Sequence, residues 1–286
     1  MPPTGINTHL PMKLIAISSV LMILPAPVYG QQIPEDLIGD EHVREEFGIN
    51  HFTTPSIKKL FEDLDDFGKL PYARLKRAIP KKIQRDRSLV ALGLGNLIAE
   101  GFLIVQAEEF AEIEPIGRAV LKQAKVLGAG MRVTRHTKSI LENSVLGKWE
   151  NLKTELAKTQ ADVEAEMVLL RDVDIAHLVA LGGWLRSFEI AAITVSESYS
   201  EKKAGKLTRT DLLAYFLETL QGLEPKLRER AHIVSLSTGI ADILADLGGY
   251  DPKPGSKIVP AIPSRTQTIA LAQKINTLLK IIEGPQ

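Results

Sequence analysis

An all-α fold, a single large bundle of about eight to ten helices, is what this sequence predicts. Three observations lead there. Apolar residues recur at spacings of three and four along most of the chain, and no stretch alternates as a half-buried strand would. Capping residues, prolines and glycines mark starts and stops at helix-length intervals. There is no cysteine, so disulfides, thiolate catalysis and Cys-ligated zinc are excluded.

The chain begins with a segment that reads as processing rather than structure. Met12-Lys13 precedes an apolar stretch at 14–24, small residues follow to Gly30, and Gln31-Gln32 come next. A basic start, a short apolar core and a small-residue cleavage site are the layout of a secretory signal. The core is shorter than the roughly 20 residues a membrane span needs. Residues 1–30 are therefore expected to be a signal peptide, with translation starting at Met12 and cleavage after Gly30. The destination is expected to be the bacterial periplasm or the medium, because an exported chain without cysteine is not a disulfide-stapled module.

The mature chain is close to neutral. With Lys13 removed, 34 basic residues face 35 acidic ones. That argues against nucleic acid as a partner, since polyanion binders carry a basic excess. Aromatic residues make up 5%, too few for a base- or sugar-stacking platform.

Residues 31–53 read as an acidic, irregular segment. Thr54-Pro55 caps a helix ended by Gly68, with Ile57, Leu60, Phe61, Leu64 and Phe67 on one face. A short helix is expected between Pro71 and Pro80. Arg74, Lys76, Arg77, Lys81, Lys82, Arg85 and Arg87 form a basic run, broken by Asp86, that could make weak contact with anionic surfaces. The acidic stretch at 35–66 offers the simpler neutralising partner.

Asp86 or Ser88 opens a long apolar helix to about 107. Another covers 109–127, where Pro115 threatens a kink. Gly128-Ala129-Gly130 breaks the chain before helices at 133–146 and 148–170. The second of these buries Trp149, Leu152, Leu156, Val163, Met167 and Leu170. A long helix follows at 172–199, then 210–222 and 225–247, stopped by Gly248-Gly249. The helical bundle thus spans 54–250. A linker at 251–263 holds four prolines and one glycine. Ser264 caps a last helix in 264–286.

Two helices share a pattern. Leu89-Val-Ala-Leu-Gly93 recurs as Leu178-Val-Ala-Leu-Gly182, and at the same offset Glu100 matches Glu189, Ile104 matches Ile193 and Glu108 matches Glu197. This suggests an internally duplicated central helix. Steps of seven and four keep the glycine and both glutamates on one stripe. The two helices are expected to cross near Gly93 and Gly182. Both are apolar enough to raise a membrane reading, but Glu100, Arg186 and Glu189 favour two central helices of a bundle. No transmembrane span is expected after signal removal.

A carboxylate in such a helix needs a partner. Arg186 sits one turn before Glu189 and Asn96 one turn before Glu100. Glu100, Glu189, Arg186 and Trp184 are therefore the ligand-site candidates, facing a polar cavity between the copies. Asp174-x-x-His177 and Glu229-x-x-His232 place an acid one turn before a histidine. With Glu100 and Glu218 they outline a di-metal carboxylate site. Chance accounts for such pairs easily at this acidic content, so no cofactor is expected.

The function expected is that of an exported, non-catalytic helical binding or scaffolding protein with an unidentified protein or small-molecule partner. Alternatives are a carrier of a small apolar or amphipathic ligand, using Trp184, Phe188 and Phe102, and a di-metal bundle enzyme.

Overall fold

The computed structural model describes residues 70–170, 172–250 and 259–284. The signal layout, the acidic segment 31–53, the helix expected at 54–68 and most of the Pro-rich linker lie outside the described residues. Every described element is a helix, with no strand among the described residues. In chain order these are α1 Tyr72–Leu75, α2 Arg87–Gln106, α3 Phe110–Leu127, α4 Gly130–Val145, α5 Trp149–Leu169 and α6 Val173–Glu197. Then come α7 Glu201–Gly205, α8 Thr210–Gly222, α9 Pro225–Arg228, α10 Ala231–Asp246 and α11 Arg265–Glu283.

The centre of the bundle is the pair α2 and α6, which share the largest helix–helix interface. Nearly every residue of α2 from Val90 to Val105 is buried, as is almost every one of α6 from Ile175 to Val195. A helix that is apolar all round must be covered on all sides. Here α3 and α5 cover α2, while α11 and α5 cover α6. By length and composition both helices could cross a membrane, yet 89% of each apolar window is buried inside this bundle. The outer helices are amphipathic: α3 buries Ile113, Ile116, Val120, Ala124 and Leu127 at 3–4 spacing, and α11 buries Leu271, Ile275, Leu278 and Ile282.

The close approach of α2 and α6 rests on glycine, but not on the pair the repeat suggests. A Cβ on Gly182 would lie 2.0 Å from the Leu92 carbonyl oxygen, and one on Gly95 would lie 1.9 Å from that of Val179. Gly93 points elsewhere, toward the Gln123 side chain at 3.1 Å. The crossing therefore uses Gly95 and Gly182.

Local chemistry explains most boundaries. The Asp86 carboxylate caps α2 by accepting from the Ser88 amide at 2.9 Å. Gly128, at φ 99°, ends α3 in the left-handed conformation that glycine adopts without strain. Ser264 and Gln267 form a reciprocal capping box on α11. Pro115 lies inside an unbroken α3. The short helix expected between Pro71 and Pro80 is a single turn, and residues 76–80 lie outside any helix. Other bounds differ from expectation: α4 starts at Gly130 rather than 133, and α7 is not among the expected helices. The helix expected at 225–247 is split at Arg230, which takes an extended conformation and sends its guanidinium to Asp86.

Candidate functional site

α2 carries Glu100, and α6 carries Arg186 and Glu189 one turn apart, so their crossing brings the three together in the core. Arg186 is 0% exposed, against 5% for Glu100 and 4% for Glu189. Its Nε donates to Glu100 Oε2 at 2.9 Å, and Nη2 lies 2.7 Å from the same oxygen. Nη1 donates to Glu189 Oε2 at 2.5 Å. Nη2 also donates to the Leu75 carbonyl at the end of α1. One guanidinium thus ties both repeat-related glutamates and the α1 terminus.

A second arginine closes the network from outside. Because the chain leaves helix after Leu75, the Arg77 backbone N–H reaches Glu100 Oε1 at 3.0 Å. Its side chain embraces Glu189 with two hydrogen bonds, Nε to Oε2 at 3.1 Å and Nη2 to Oε1 at 3.0 Å. Nη1 donates to Glu283 at 2.7 Å, and Nη2 also donates to Asn276 Oδ1, both on α11. Burial opposes the Arg77 charge, but Glu189 and then Glu283 outweigh it and raise its pKa above the ordinary value. Two guanidiniums and three carboxylates are therefore packed at one junction of α2, α6, α11 and the segment after α1.

Two concavities flank this junction. On the α2–α3 side lies a small, partly open cavity of about 30 Å³, lined by Asn96, Glu100, Gln123, Gln84 and Glu283 among others. Gln123 is 7% exposed, and its Oε1 has no hydrogen-bond partner among the described residues. The space admits water-sized species only. On the α6–α11 side lies an open groove of about 520 Å³, lined by Arg74, Lys76, Arg77, Glu189, Ile193, Ser196, Ile269, Ala272 and Asn276 among others.

Of the ligand-site candidates, Glu100, Glu189 and Arg186 converge. They do not share one cavity: Glu100 borders the small one and Glu189 the groove, and the arginines bridge them. Asn96 is not the partner of Glu100; Arg186 and the Arg77 amide are. Trp184 takes no part, being packed in the core with ring centroids 4.8 Å from Phe188 and 5.1 Å from Phe216. Phe102 and Phe188 are buried with it.

The acid–histidine pairs do not converge. Asp174 accepts from the Glu224 amide at 3.0 Å, and His177 lies 3.4 Å from the Tyr215 hydroxyl. His232 Nε2 lies 2.7 Å from Ser88 Oγ, whose proton goes to Asp86. Glu229 ends α9. No group of three or more metal-ligating side chains is disposed to hold an ion among the described residues. The basic run is not a uniform patch either: Arg77 is in the network, and Arg87 bonds Asp172 at 2.8 Å and the Leu127 carbonyl at 3.1 Å.

Sequence spacing missed Arg77, Asn276, Glu283 and Gln123, because none sits on the repeated helices. A helix-face analysis of α11 carried a faint signal, since 269, 272, 276 and 283 fall on one stripe. It also missed His136, buried between α4 and α5, with ring nitrogens each 2.9 Å from Glu155 and Asp162.

The class these features define is an all-α bundle with a central pair of apolar helices and a buried arginine–glutamate network beside a groove. No protein-family model, no characterised protein and no solved structure matches this chain.

Acidification is expected to destabilise the bundle in two stages. Burial lowers the pKa of His177 below 6.5, against an opposing pull from Asp174. Burial likewise lowers that of His232, with Asp86 opposing and Arg230 assisting. The unfolded chain binds these protons first, so the stabilisation is complete above 6.5 and is lost as pH falls through the folded values. Asp86 and Glu155 follow at lower pH. Burial would raise both, but hydrogen bonds from Ser88 and Arg230, and from His136 and Lys158, hold them below their usual range. Thermal unfolding followed from neutral to acidic pH should show the first decline weakened in His177→Gln. An unchanged profile in that variant would exclude His177 as a contributor.

Proposed function

We propose that this chain is an exported, non-catalytic helical binding protein whose recognition site is the groove between the segment after α1 and helices α6 and α11. The observation that carries this reading is the groove: its volume of about 520 Å³ falls within the roughly 300–1,000 Å³ usual for small-molecule sites. Its floor is the buried network, which fixes the three walls relative to one another. A binding role is supported over catalysis by how the groove's acids are used. Glu189 and Glu283 each hold a guanidinium, so their oxygens are committed to the network rather than turned toward a bound molecule. A carrier with its ligand among Trp184, Phe188 and Phe102 loses support, because those rings pack against each other and the core. Export rests on the residues at 12–32, and a cysteine-free chain suits a bacterial periplasm.

Protein recovered from its own host tests both halves. N-terminal sequencing should begin at Gln31; a cytoplasmic product retaining residues 12–24 would overturn export. Native mass spectrometry should show a small-molecule mass on the wild type that is lost in Ile269→Trp, which fills the groove from an exposed position. Bare and equal masses for both would overturn the groove as the recognition site.

A further inference from the structure

We infer that the small cavity between α2, α3 and the segment after α1 takes a monovalent cation of water size, ammonium or potassium. It is a second site, apart from the groove and independent of the binding role proposed for it.

The cavity wall carries acceptors that nothing donates to. Gln123 of α3 is 7% exposed, and its Oε1 lies beside Gly93 with no hydrogen-bond partner among the described residues. A buried acceptor left unpaired bears its full desolvation cost, so a native site normally supplies a donor or an ion. Asn96 of α2 is 9% exposed, and its amide has no partner among the described residues either. Gln84 spends its amide N–H on the Glu283 carbonyl, which leaves its oxygen as a further acceptor. Glu100 Oε1 accepts from the Arg77 backbone N–H, and a carboxylate oxygen has room for a second contact. All four residues border the cavity.

The charge there has the matching sign. Glu100, Glu189 and Glu283 share only two guanidiniums, those of Arg77 and Arg186, so one negative charge is left over. Two of these carboxylates, Glu100 and Glu283, border the cavity. Lys82 borders it too, but it is exposed and makes no ion pair among the described residues. The excess is therefore unmet at the place where the orphaned amide oxygen lies. In a partly desolvated site that charge favours a cation over a neutral water. The volume of about 30 Å³ gives room for a species of water size. Calcium is held by a cage of oxygens with several carboxylates, and only two border this cavity.

Thermal melts in ammonium chloride, potassium chloride and tetramethylammonium chloride, at one ionic strength, test this. Ammonium or potassium should raise the melting temperature saturably, by about 3–5 °C at roughly tenfold above the dissociation constant. Tetramethylammonium, too large for the cavity, should not. A response to ammonium alone assigns an ion that donates hydrogen bonds; a response to both assigns selection by size and charge. Gln123→Met keeps the length of the side chain and removes the orphaned oxygen. It should melt higher than the wild type in tetramethylammonium chloride, and it should bind ammonium or potassium at least about tenfold more weakly. Asn96→Leu should weaken the response in the same direction. If neither ion shifts the wild type relative to tetramethylammonium, water fills the cavity and the inference falls. It falls equally if both variants keep the wild-type response, because the ion then binds elsewhere. Neither result touches the groove, which Ile269→Trp reads separately.

Discussion

Arg186→Ala is expected to be the most damaging single side-chain substitution, costing about 3–5 kcal/mol, the range for removing one partner of a buried ion pair. The size follows from what is stranded. Arg186 is fully buried and holds Glu100, Glu189 and the Leu75 carbonyl together. Without it two carboxylates keep only Arg77, which is already shared with Glu283 and Asn276. Glu189→Gln should be much milder, about 1–2 kcal/mol, because the amide keeps the shape and one acceptor and relieves the excess of carboxylate over guanidinium. Urea unfolding read by far-ultraviolet circular dichroism checks the order. If Glu189→Gln proves as harmful as Arg186→Ala, the network is not organised around Arg186. A double-substitution cycle on Glu100 and Arg186 then measures their coupling directly.

Gly95→Ala and Gly182→Ala should each cost about 3 kcal/mol or more, at the upper end for overpacking. The new methyl would fall 1.9 or 2.0 Å from a backbone carbonyl oxygen of the opposing helix. A side chain could turn away, but a helix backbone can yield only by moving the helix. Gly93→Ala is the control. Its methyl would meet the end of the Gln123 side chain at 3.1 Å, which can shift, and alanine gains about 1 kcal/mol of helix propensity over glycine. Thermal melts of the three variants decide the crossing. Equal losses at positions 93 and 95 would mean that α2 meets α6 on a different face.

These two results divide what was legible from what was not. The repeat LVALG…E…I…E pointed to α2 and α6 as the central pair, and both are. It also singled out Glu100, Glu189 and Arg186, which do meet. That much follows from composition along one helix, because a carboxylate in an apolar stretch must be paired somewhere, and Arg186 lies one turn from Glu189. The choice of Gly95 over Gly93 was not legible. Two residues along a helix turn the face by about 200°, and which face meets α6 depends on how the other helices pack against α2. The break at Arg230 was equally hidden, since its extended backbone accompanies a guanidinium drawn to Asp86, 144 residues away.

The sequence alone determined the helical class, the order and approximate bounds of the long helices α2 to α6, α8 and α11, the central pair and the charged residues that pair must satisfy. These are set by local periodicity, capping and the cost of burying charge, which act within a few turns of chain. The tertiary structure alone decided that Arg77, Asn276 and Glu283 complete the network, that Trp184 is core, that the acid–histidine pairs stay apart, and that the groove lies over α6 and α11. The network and the groove depend on contacts of residue 77 with residue 189 and with the 276–283 stripe of α11, which are far apart in sequence. Only the packing of α11 and the non-helical segment after α1 onto the central helices brings them within hydrogen-bonding reach.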